Sequence, residues 1–237
     1  MSLRSRRVVG YEGARLDVQE LVPLEVRQIL DLGCSSGLLG AALKARQKVT
    51  ITGVELDDVY AKDAVSRIDR VLHMSVEDFI EHNPMKGVFF DCLIAADILE
   101  HLVDPWDVLS KAVEMLAPDA TVIVSLPNVL YWPEFRRLLI QRRWPRDDVG
   151  IFDRTHLRWF TRADAIELVE QAGLSLVRVV PSYWACGLRL VLHRAMAKTP
   201  LRPFAAAQYL VVSRLTRPQG VKRSSQTVSV PTRQLDP

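Results

Sequence analysis

The amino-acid sequence predicts an α/β fold in which a mainly parallel sheet is covered by helices on both faces. Short runs of apolar and β-branched residues alternate with helical patterns between residues 29 and 125, and alternating βα units form parallel sheets with right-handed crossovers. Two further strand patterns, 176–180 and 209–215, follow one another without a regular crossover helix. They predict an antiparallel pair that ends the sheet.

The individual elements follow from periodicity and from their end signals. Predicted strands cover residues 29–32, 49–55, 70–74, 89–95, 121–125, 176–180 and 209–215. Predicted helices cover residues 38–46, 57–65, 76–81 and 106–116. A last helix begins after Thr161, with Asp164 at its third position as in a capping box, and stops at Gly173.

Two long segments interrupt this alternation. Residues 128–160 are rich in Arg and Trp, and residues 182–208 are amphipathic but broken by Pro200 and Pro203. Segments of this length between regular elements are usually functional, so we expect both to be insertions on the substrate side of a single domain, 1–217. Residues 218–237 consist largely of Ser, Thr, Gln, Pro and Arg, a composition that predicts disorder.

Composition excludes several classes of protein. With 49% hydrophobic and 25% charged residues, the 237 residues can bury a globular core. Neither a signal peptide nor a membrane-spanning run is visible, so we expect a cytoplasmic protein. The three cysteines, Cys34, Cys92 and Cys186, are odd in number and lack metal-ligand spacing, which argues against a disulfide framework and predicts no metal site.

The net charge of +3 is distributed unevenly. From Arg189 onward, nine Lys or Arg stand against one acid, Asp236, and the preceding part is acidic overall. A basic C-terminal segment of this kind either binds an anionic partner or increases the solubility of the chain.

The stretch most informative about function is the first strand and the turn that follows it. Gly33 and Gly37 bound a turn of small residues, and the helix that starts near Leu38 points its unpaired N–H groups back at that turn. This arrangement predicts a cradle for a polar ligand. A strand-to-helix connection with small residues for packing is the alternative.

Glu55 lies at the end of the second predicted strand, 18 positions after Gly37. In a doubly wound sheet this strand end lies beside the first one, and a carboxylate there can accept both hydroxyls of a ribose. A solvated acid at a strand end is the alternative. The dinucleotide pattern G-x-G-x-x-G is absent, because its positions read Gly33, Ser35 and Leu38, and no Lys-Ser or Lys-Thr pair follows Gly37 to make a P-loop.

The run Asp31-Leu32-Gly33-Cys34-Ser35-Ser36-Gly37 resembles motif I of the class I S-adenosylmethionine-dependent methyltransferases, whose usual form is Asp/Glu-x-Gly-x-Gly-x-Gly. Ser35 departs from this form at the middle glycine, a change from one small residue to another. Further pieces match in order, namely Glu55, a fourth strand at 90–96, and Leu99-Glu100-His101-Leu102 just beyond it. The resemblance implies a seven-stranded, Rossmann-like sheet with an antiparallel last strand, and S-adenosylmethionine as the methyl donor.

The resemblance also implies roles for individual residues. Asp31 and the carbonyl of Gly33 would face the methionyl ammonium, with Ala96 close to the same moiety. Glu55 would bind the ribose, and Ser75 and Val76 would line the adenine. The remaining residues expected at the cofactor are Cys34, Ser35, Gly37, Leu38 and Leu56.

The segment Gly150-Ile151-Phe152-Asp153-Arg154-Thr155-His156-Leu157-Arg158-Trp159-Phe160-Thr161 is similar to one found in a bacterial subset of these enzymes, related to those that modify small metabolites and cell-surface sugars. It combines a titratable histidine, arginines, an acid and aromatics where the sheet opens, which suits a substrate wall. We therefore expect substrate contacts from Tyr11, Tyr131, Trp132, Arg154 and Trp159. A structural role is the alternative, with Asp153 pairing an arginine, His156 capping, and Trp159 buried.

Methyl transfer to a hydroxyl or protonated amine needs a base, and histidine is the usual candidate. His156 and His101 are the two histidines near the predicted mouth, and His156 is preferred because it lies in the insertion. The sequence thus predicts a methyltransferase that acts on an O or N atom of a small metabolite or sugar.

Two alternatives remain open. An RNA methyltransferase is indicated by arginines interleaved with Trp132 and Trp144, namely Arg136, Arg137, Arg142, Arg143 and Arg146. The basic amphipathic stretch 189–202 instead suggests peripheral membrane contact, placing the enzyme near lipid-linked glycans, or a lid over the substrate cleft. The oligomeric state is not predicted.

Overall fold

The computed structural model describes residues 13–185 and 187–216. Its strands are β1 (Gln28–Leu32), β2 (Thr50–Glu55), β3 (Arg70–His73), β4 (Phe90–Ala96), β5 (Leu116–Pro127), β6 (Ser175–Ser182) and β7 (Gln208–Arg214). Its helices are α1 (Leu16–Gln19), α2 (Leu38–Arg46), α3 (Asp58–Val65), α4 (Val76–His82), α5 (Pro105–Val113), α6 (Trp132–Gln141), α7 (Arg162–Gln171) and α8 (Gly187–Met196). The predicted tail 218–237, Tyr11 and Cys186 lie outside the described residues.

The strands form one seven-stranded sheet in the order β3-β2-β1-β4-β5-β7-β6. The first five strands are parallel to one another, and β7 lies between β5 and β6, antiparallel to both. The predicted doubly wound sheet with an antiparallel last strand is therefore confirmed. The carboxyl ends of β1, β2 and β4 lie side by side at one edge of the sheet.

The alternation of side chains along each strand divides the core between the two faces of the sheet. Leu30 and Leu93 pack on the face covered by α4, α5 and α7, whereas Ile29 and Ile94 pack on the face covered by α2 and α3. Period-two burial on both faces is what a parallel sheet between two helix layers requires.

Most predicted boundaries differ from the structure by one or two residues, and two of the elements differ by more. The helix predicted at 106–116 ends at Val113, and Leu116 already belongs to β5, where it pairs with Phe90. An apolar residue at this position satisfies both the helical and the strand pattern, so the sequence did not separate them. The strand itself is longer than the predicted 121–125 and reaches Pro127.

Both long segments contain a helix. α6 lies within 128–160 and has a proline in its first turn, where the missing N–H costs nothing. The segment 128–160 also has a small core of its own, in which Tyr131, Ile151 and Phe152 pack on Ala207. α8 lies within 182–208. The two segments meet where the Tyr131 ring stacks edge-on against His193 at 5.4 Å.

Gly40 in α2 allows a test of how tightly this helix packs against Ile68, which lies between α3 and β3. A Cβ at Gly40 would lie 2.4 Å from Cγ2 of Ile68. Gly40→Ala should lower the free energy of unfolding by about 1–3 kcal/mol, although alanine favours a helix by about 1 kcal/mol. Urea denaturation measures the change. Ile68→Ala in the same chain should relieve part of the clash, and a Gly40→Ala chain as stable as the parent would contradict the packing.

Candidate functional site

The turn between β1 and α2 adopts backbone angles that favour glycine. Gly33, Ser35 and Gly37 all have positive φ, at 71°, 48° and 77°. A Cβ on Gly33 would lie 2.9 Å from the side chain of Ile98, and one on Gly37 would lie 3.1 Å from the backbone of Ala64. The two glycines are therefore required by conformation and by space. Ser35 occupies a left-handed conformation that explains why glycine is usual at this position of the motif.

A cavity of about 790 Å³ opens at this turn, within the range of small-molecule sites. Its floor is the turn itself. One wall comes from the end of β2 and the start of α3, and the opposite wall from the end of β4. The lining residues are Gly13, Arg15, Asp31, Gly33, Cys34, Ser35, Ser36, Leu38, Leu39, Glu55, Leu56, Asp57, Asp58, Tyr60, Ala96, Asp97, Ile98, His101 and Thr155.

Glu55 is held by the backbone on both of its oxygens. Its Oε2 accepts the N–H of Ser35 at 2.8 Å, and its Oε1 accepts the N–H of Asp57 at 2.8 Å. Each oxygen keeps a lone pair for a further donor. Burial raises the pKa of Glu55, so the carboxylate would gain from a ligand that donates hydrogen bonds to it.

Asp31 is the last but one residue of β1, lines the cavity and is 3% exposed. Burial, reinforced by the charge of Glu55, raises the pKa of Asp31 to about 7. A buried carboxyl group with this pKa titrates near neutrality, and a cationic group brought beside it would favour its ionised form.

Arg15 and Asp97 form a polar network that closes the cavity on another side. The guanidinium of Arg15 forms an ion pair with Asp97 and donates to Ser125 Oγ at 3.1 Å. Oδ1 of Asp97 accepts from Ser125 Oγ at 3.2 Å and also from Gln208. This network ties the segment before α1 to the ends of β4, β5 and β7.

The two histidines predicted as bases lie next to each other, with ring centroids 4.6 Å apart. Only His101 lines the cavity; His156 is 7% exposed and lies behind it. Burial lowers the pKa of both imidazoles. Glu100, which precedes His101 in the chain, is 1% exposed, and burial together with the charge of Asp97 raises its pKa well above the usual value.

The cavity brings together most of the predicted cofactor residues. Gly37 shapes the turn. The predicted cofactor residues that line the cavity are Asp31, Gly33, Cys34, Ser35, Leu38, Glu55, Leu56 and Ala96. Among the described residues, Ser75 and Val76 do not line it. Ser75 caps α4 by accepting the N–H of Asp78, and Val76 is buried in the core.

The four predicted substrate residues that the structure describes do not line the cavity. Tyr131 is buried in the small core of the insertion, and Trp132 packs edge-on against Phe204. Arg154 is exposed and pairs with Asp148 at 2.7 Å, while Trp159 stacks edge-on with Trp144. Oδ1 of Asp153 accepts the N–H and the hydroxyl of Thr155.

The sequence patterns assigned no role to Asp97 or Glu100. Asp97 follows β4 directly, so the strand-end rule that identified Glu55 would also have found it. Glu100 was visible in the matched Leu-Glu-His-Leu run, but its burial was not, because that burial depends on the segment 151–158 folding over it.

The fold and the cavity define a class I S-adenosylmethionine-dependent methyltransferase. A family model described as "Methyltransferase domain" matches residues 10–179, and the chain belongs to that family. The glycine-bounded turn fits this cofactor, as do the buried hydroxyls of Ser35 and Ser36, which have no hydrogen-bond partner among the described residues.

Similar proteins agree with this assignment. The chain is 30% identical over 118 residues to a ubiquinone biosynthesis O-methyltransferase of Paracidovorax citrulli, covering 47% of this chain and 48% of that protein. The chain thus aligns with about half the length of this relative. A crystal structure of a SAM-dependent methyltransferase from Archaeoglobus fulgidus shares the fold, with a TM-score of 0.64, 16% identity, and coverage of 90% of this chain and 94% of that one.

A third similar structure is the N-methyltransferase NodS from Bradyrhizobium japonicum in complex with S-adenosyl-L-homocysteine. Its TM-score is 0.52 at 15% identity, with coverage of 81% of this chain and 79% of that one. Over the described part of this chain, no helix is long and apolar enough to cross a membrane.

Proposed function

We propose that this methyltransferase acts on an oxygen or nitrogen atom of a small metabolite or sugar, and that a hydroxyl oxygen is the preferred acceptor. The shape of the cavity supports this proposal. One end of the cavity is lined by the carboxylate of Glu55, the other end is lined by His101, and the glycine-bounded turn lies between them. The O-methyltransferase named among the similar proteins supports an oxygen acceptor.

In this proposal the cofactor lies along the turn. Glu55, oriented by the N–H groups of Ser35 and Asp57, accepts the ribose hydroxyls. Asp31 and the carbonyl of Gly33 receive the methionyl ammonium, and Ala96 packs beside it. Ser75 and Val76 stay candidates for the adenine end. S-adenosylmethionine supplies a methyl group already activated on a sulfonium, so the protein mainly aligns the acceptor and excludes water.

We place the acceptor at the wall formed by His101 and Thr155. His101 is the histidine positioned to receive a proton from an acceptor hydroxyl, and His156 supports it from behind. The insertion residues Tyr131, Trp132, Arg154 and Trp159 stay candidates for a larger acceptor that extends beyond the cavity.

Contact with an anionic membrane is a second proposal. α8 exposes Leu188, Val191 and Leu192, at 74%, 61% and 59%, on one stripe of the helix at spacings of three and four. Arg189 and Arg194 flank that stripe. An apolar stripe bordered by basic residues is suited to lie in the interface of an anionic lipid surface. This contact would bring the enzyme to a lipid-borne acceptor.

The RNA alternative has less support. Arg137, one of its five arginines, is occupied by Glu134 and Asp147. RNA binding stays a prediction. A salt-dependent mobility shift of tRNA fragments in the presence of the protein would support it.

Asp31 makes cofactor binding pH-dependent. Below about pH 7 its carboxyl group is protonated in the free protein, and binding of an ammonium must first remove that proton. The affinity for S-adenosylhomocysteine should therefore rise with pH between 5.5 and 7.5, by up to about tenfold per unit, and level off above. Calorimetric titrations across this range measure it. Asp31→Asn should bind more weakly and lose the slope, and an unchanged slope in that variant would contradict the role.

The acceptor and the role of His101 can be tested together. Mass spectrometry of co-purified ligands, followed by an acceptor screen with methyl-labelled cofactor, identifies the substrate. With that substrate, His101→Ala should lower kcat by about 10²–10⁴-fold and change the Kd for S-adenosylhomocysteine by less than about threefold. His82→Ala, on the surface of α4, is the matched control. Equal kcat values in the two variants would remove His101 from the reaction.

Vesicle flotation tests the membrane contact. The protein should float with vesicles containing anionic phospholipid and stay behind with neutral ones. Leu188→Ser with Leu192→Ser should abolish flotation while S-adenosylhomocysteine binding is retained. Protein that remains entirely in the soluble fraction with anionic vesicles would refute the proposal.

A further inference from the structure

Three potential metal ligands converge behind the acceptor wall of the cavity. Glu100 and His101 lie in the 3₁₀ turn after β4, and His156 comes from the insertion. One ligand atom from each residue lies within 4.8 Å of the other two. Two backbone hydrogen bonds join the segments, since the carbonyl of Glu100 accepts the N–H groups of Leu157 at 2.8 Å and Arg158 at 3.0 Å.

The carboxyl group of Glu100 is the unexplained member of this cluster. It is 1% exposed, and neither of its oxygens has a hydrogen-bond partner among the described residues. Buried polar groups are almost always satisfied, because an unpaired one costs free energy. The nearest cationic candidate is His156, whose Nε2 lies 4.0 Å from Oε1 of Glu100. That separation is too long for a hydrogen bond.

The same separation is somewhat longer than that between two ligands of one ion. Atoms that each lie about 2.1 Å from a tetrahedral zinc ion are about 3.4 Å apart, so His156 Nε2 and Glu100 Oε1, at 4.0 Å, need to move closer together. Small movements of the three side chains would therefore bring all the ligand atoms to coordination distance.

The histidines are oriented as metal ligands usually are. His156 Nδ1 lies 3.0 Å from the carbonyl of Ile151 and donates to it, which leaves the lone pair on Nε2, towards Glu100. His101 Nδ1 lies 3.1 Å from Oγ1 of Thr155, which in turn donates to Asp153 at 2.7 Å. A ligating histidine commonly donates its other ring N–H to a carbonyl or to a chain that ends in a carboxylate.

We propose that Glu100, His101 and His156 bind one divalent transition-metal ion of the Zn²⁺ type. One carboxylate and two imidazoles form a set that favours such ions over Mg²⁺ and Ca²⁺, which prefer oxygen ligands alone. Asp97 is excluded from the set because both of its oxygens are engaged by Arg15, Ser125 and Gln208. His101 borders the cavity, so an open coordination position is directed towards the acceptor.

The use of this ion rests on the proposed function, whereas the site itself does not. An acceptor hydroxyl bound to the ion loses its proton to solvent more readily, as bound water does. Its oxygen then forms a bond to the methyl carbon, the carbon–sulfur bond breaks, and the electron pair stays on sulfur as a thioether. With the ion bound, His101 and His156 would act as its ligands, and the direct proton transfer to His101 proposed above would apply to the metal-free protein.

Cobalt spectroscopy tests the site without any acceptor. Full-length protein is freed of metal with a chelator and titrated with Co²⁺. Visible absorption bands should grow to one equivalent and disappear when one equivalent of Zn²⁺ is added. Glu100→Gln and His101→Gln should each weaken Co²⁺ binding by about tenfold or more, and the surface variant His82→Ala should bind like the parent.

Two controls keep the outcome unambiguous. Circular dichroism and calorimetry with S-adenosylhomocysteine show that each variant is folded, and His101→Gln at the cavity wall serves if Glu100→Gln does not fold. Absence of cobalt bands in the parent, or equal affinities in Glu100→Gln and His82→Ala, would overturn the metal site. Cobalt binding by a protein that does not bind S-adenosylhomocysteine would refute the proposed function and leave the metal site intact.

Discussion

The close approach of Ile98 to Gly33 is the contact on which the rest of the site depends. Ile98 follows β4, and its side chain occupies the volume that a Cβ on Gly33 would need. This packing sets the turn after β1 against the end of β4 and leaves the cavity between them. The hydrogen bond from the Ser35 N–H to Glu55 then links the same turn to the end of β2. Three strand ends are thereby held around one space.

The cavity is electrostatically asymmetric. The cofactor end carries buried carboxyl groups, Asp31 and Glu55, whose pKa values are raised by burial. Arg15 is held by Asp17 and Asp97 at the rim. The far wall carries His101, backed by His156 and by the buried Glu100, and burial lowers the pKa of both imidazoles. A ligand that presents hydroxyl and ammonium donors at one end and an acceptor group at the other matches this distribution, and so does a cation placed among Glu100, His101 and His156.

Much of the fold and of the cofactor site could be predicted because both follow local rules. Strand periodicity predicted the sheet, the strand-end rule predicted Glu55 at the site, and the resemblance to motif I implied Asp31 and Ala96 there. The acceptor side followed no such rule. Trp132 and Arg154 were predicted from residue type within a long insertion, where the direction of a side chain depends on tertiary packing. The burial of Glu100 likewise arises from contact with residues more than fifty positions away, at Leu157 and Arg158.

Calorimetric titration with S-adenosylhomocysteine tests the central claim, that the turn after β1 and the carboxylate of Glu55 form one cofactor site. The parent protein should bind one equivalent, and Glu55→Lys should lose most of that affinity, because the substitution removes the ribose acceptor and breaks the hydrogen bond from Ser35. Glu81→Lys, an exposed acid on α4, should bind like the parent. Absence of binding in the parent, or undiminished binding in Glu55→Lys, would contradict the account.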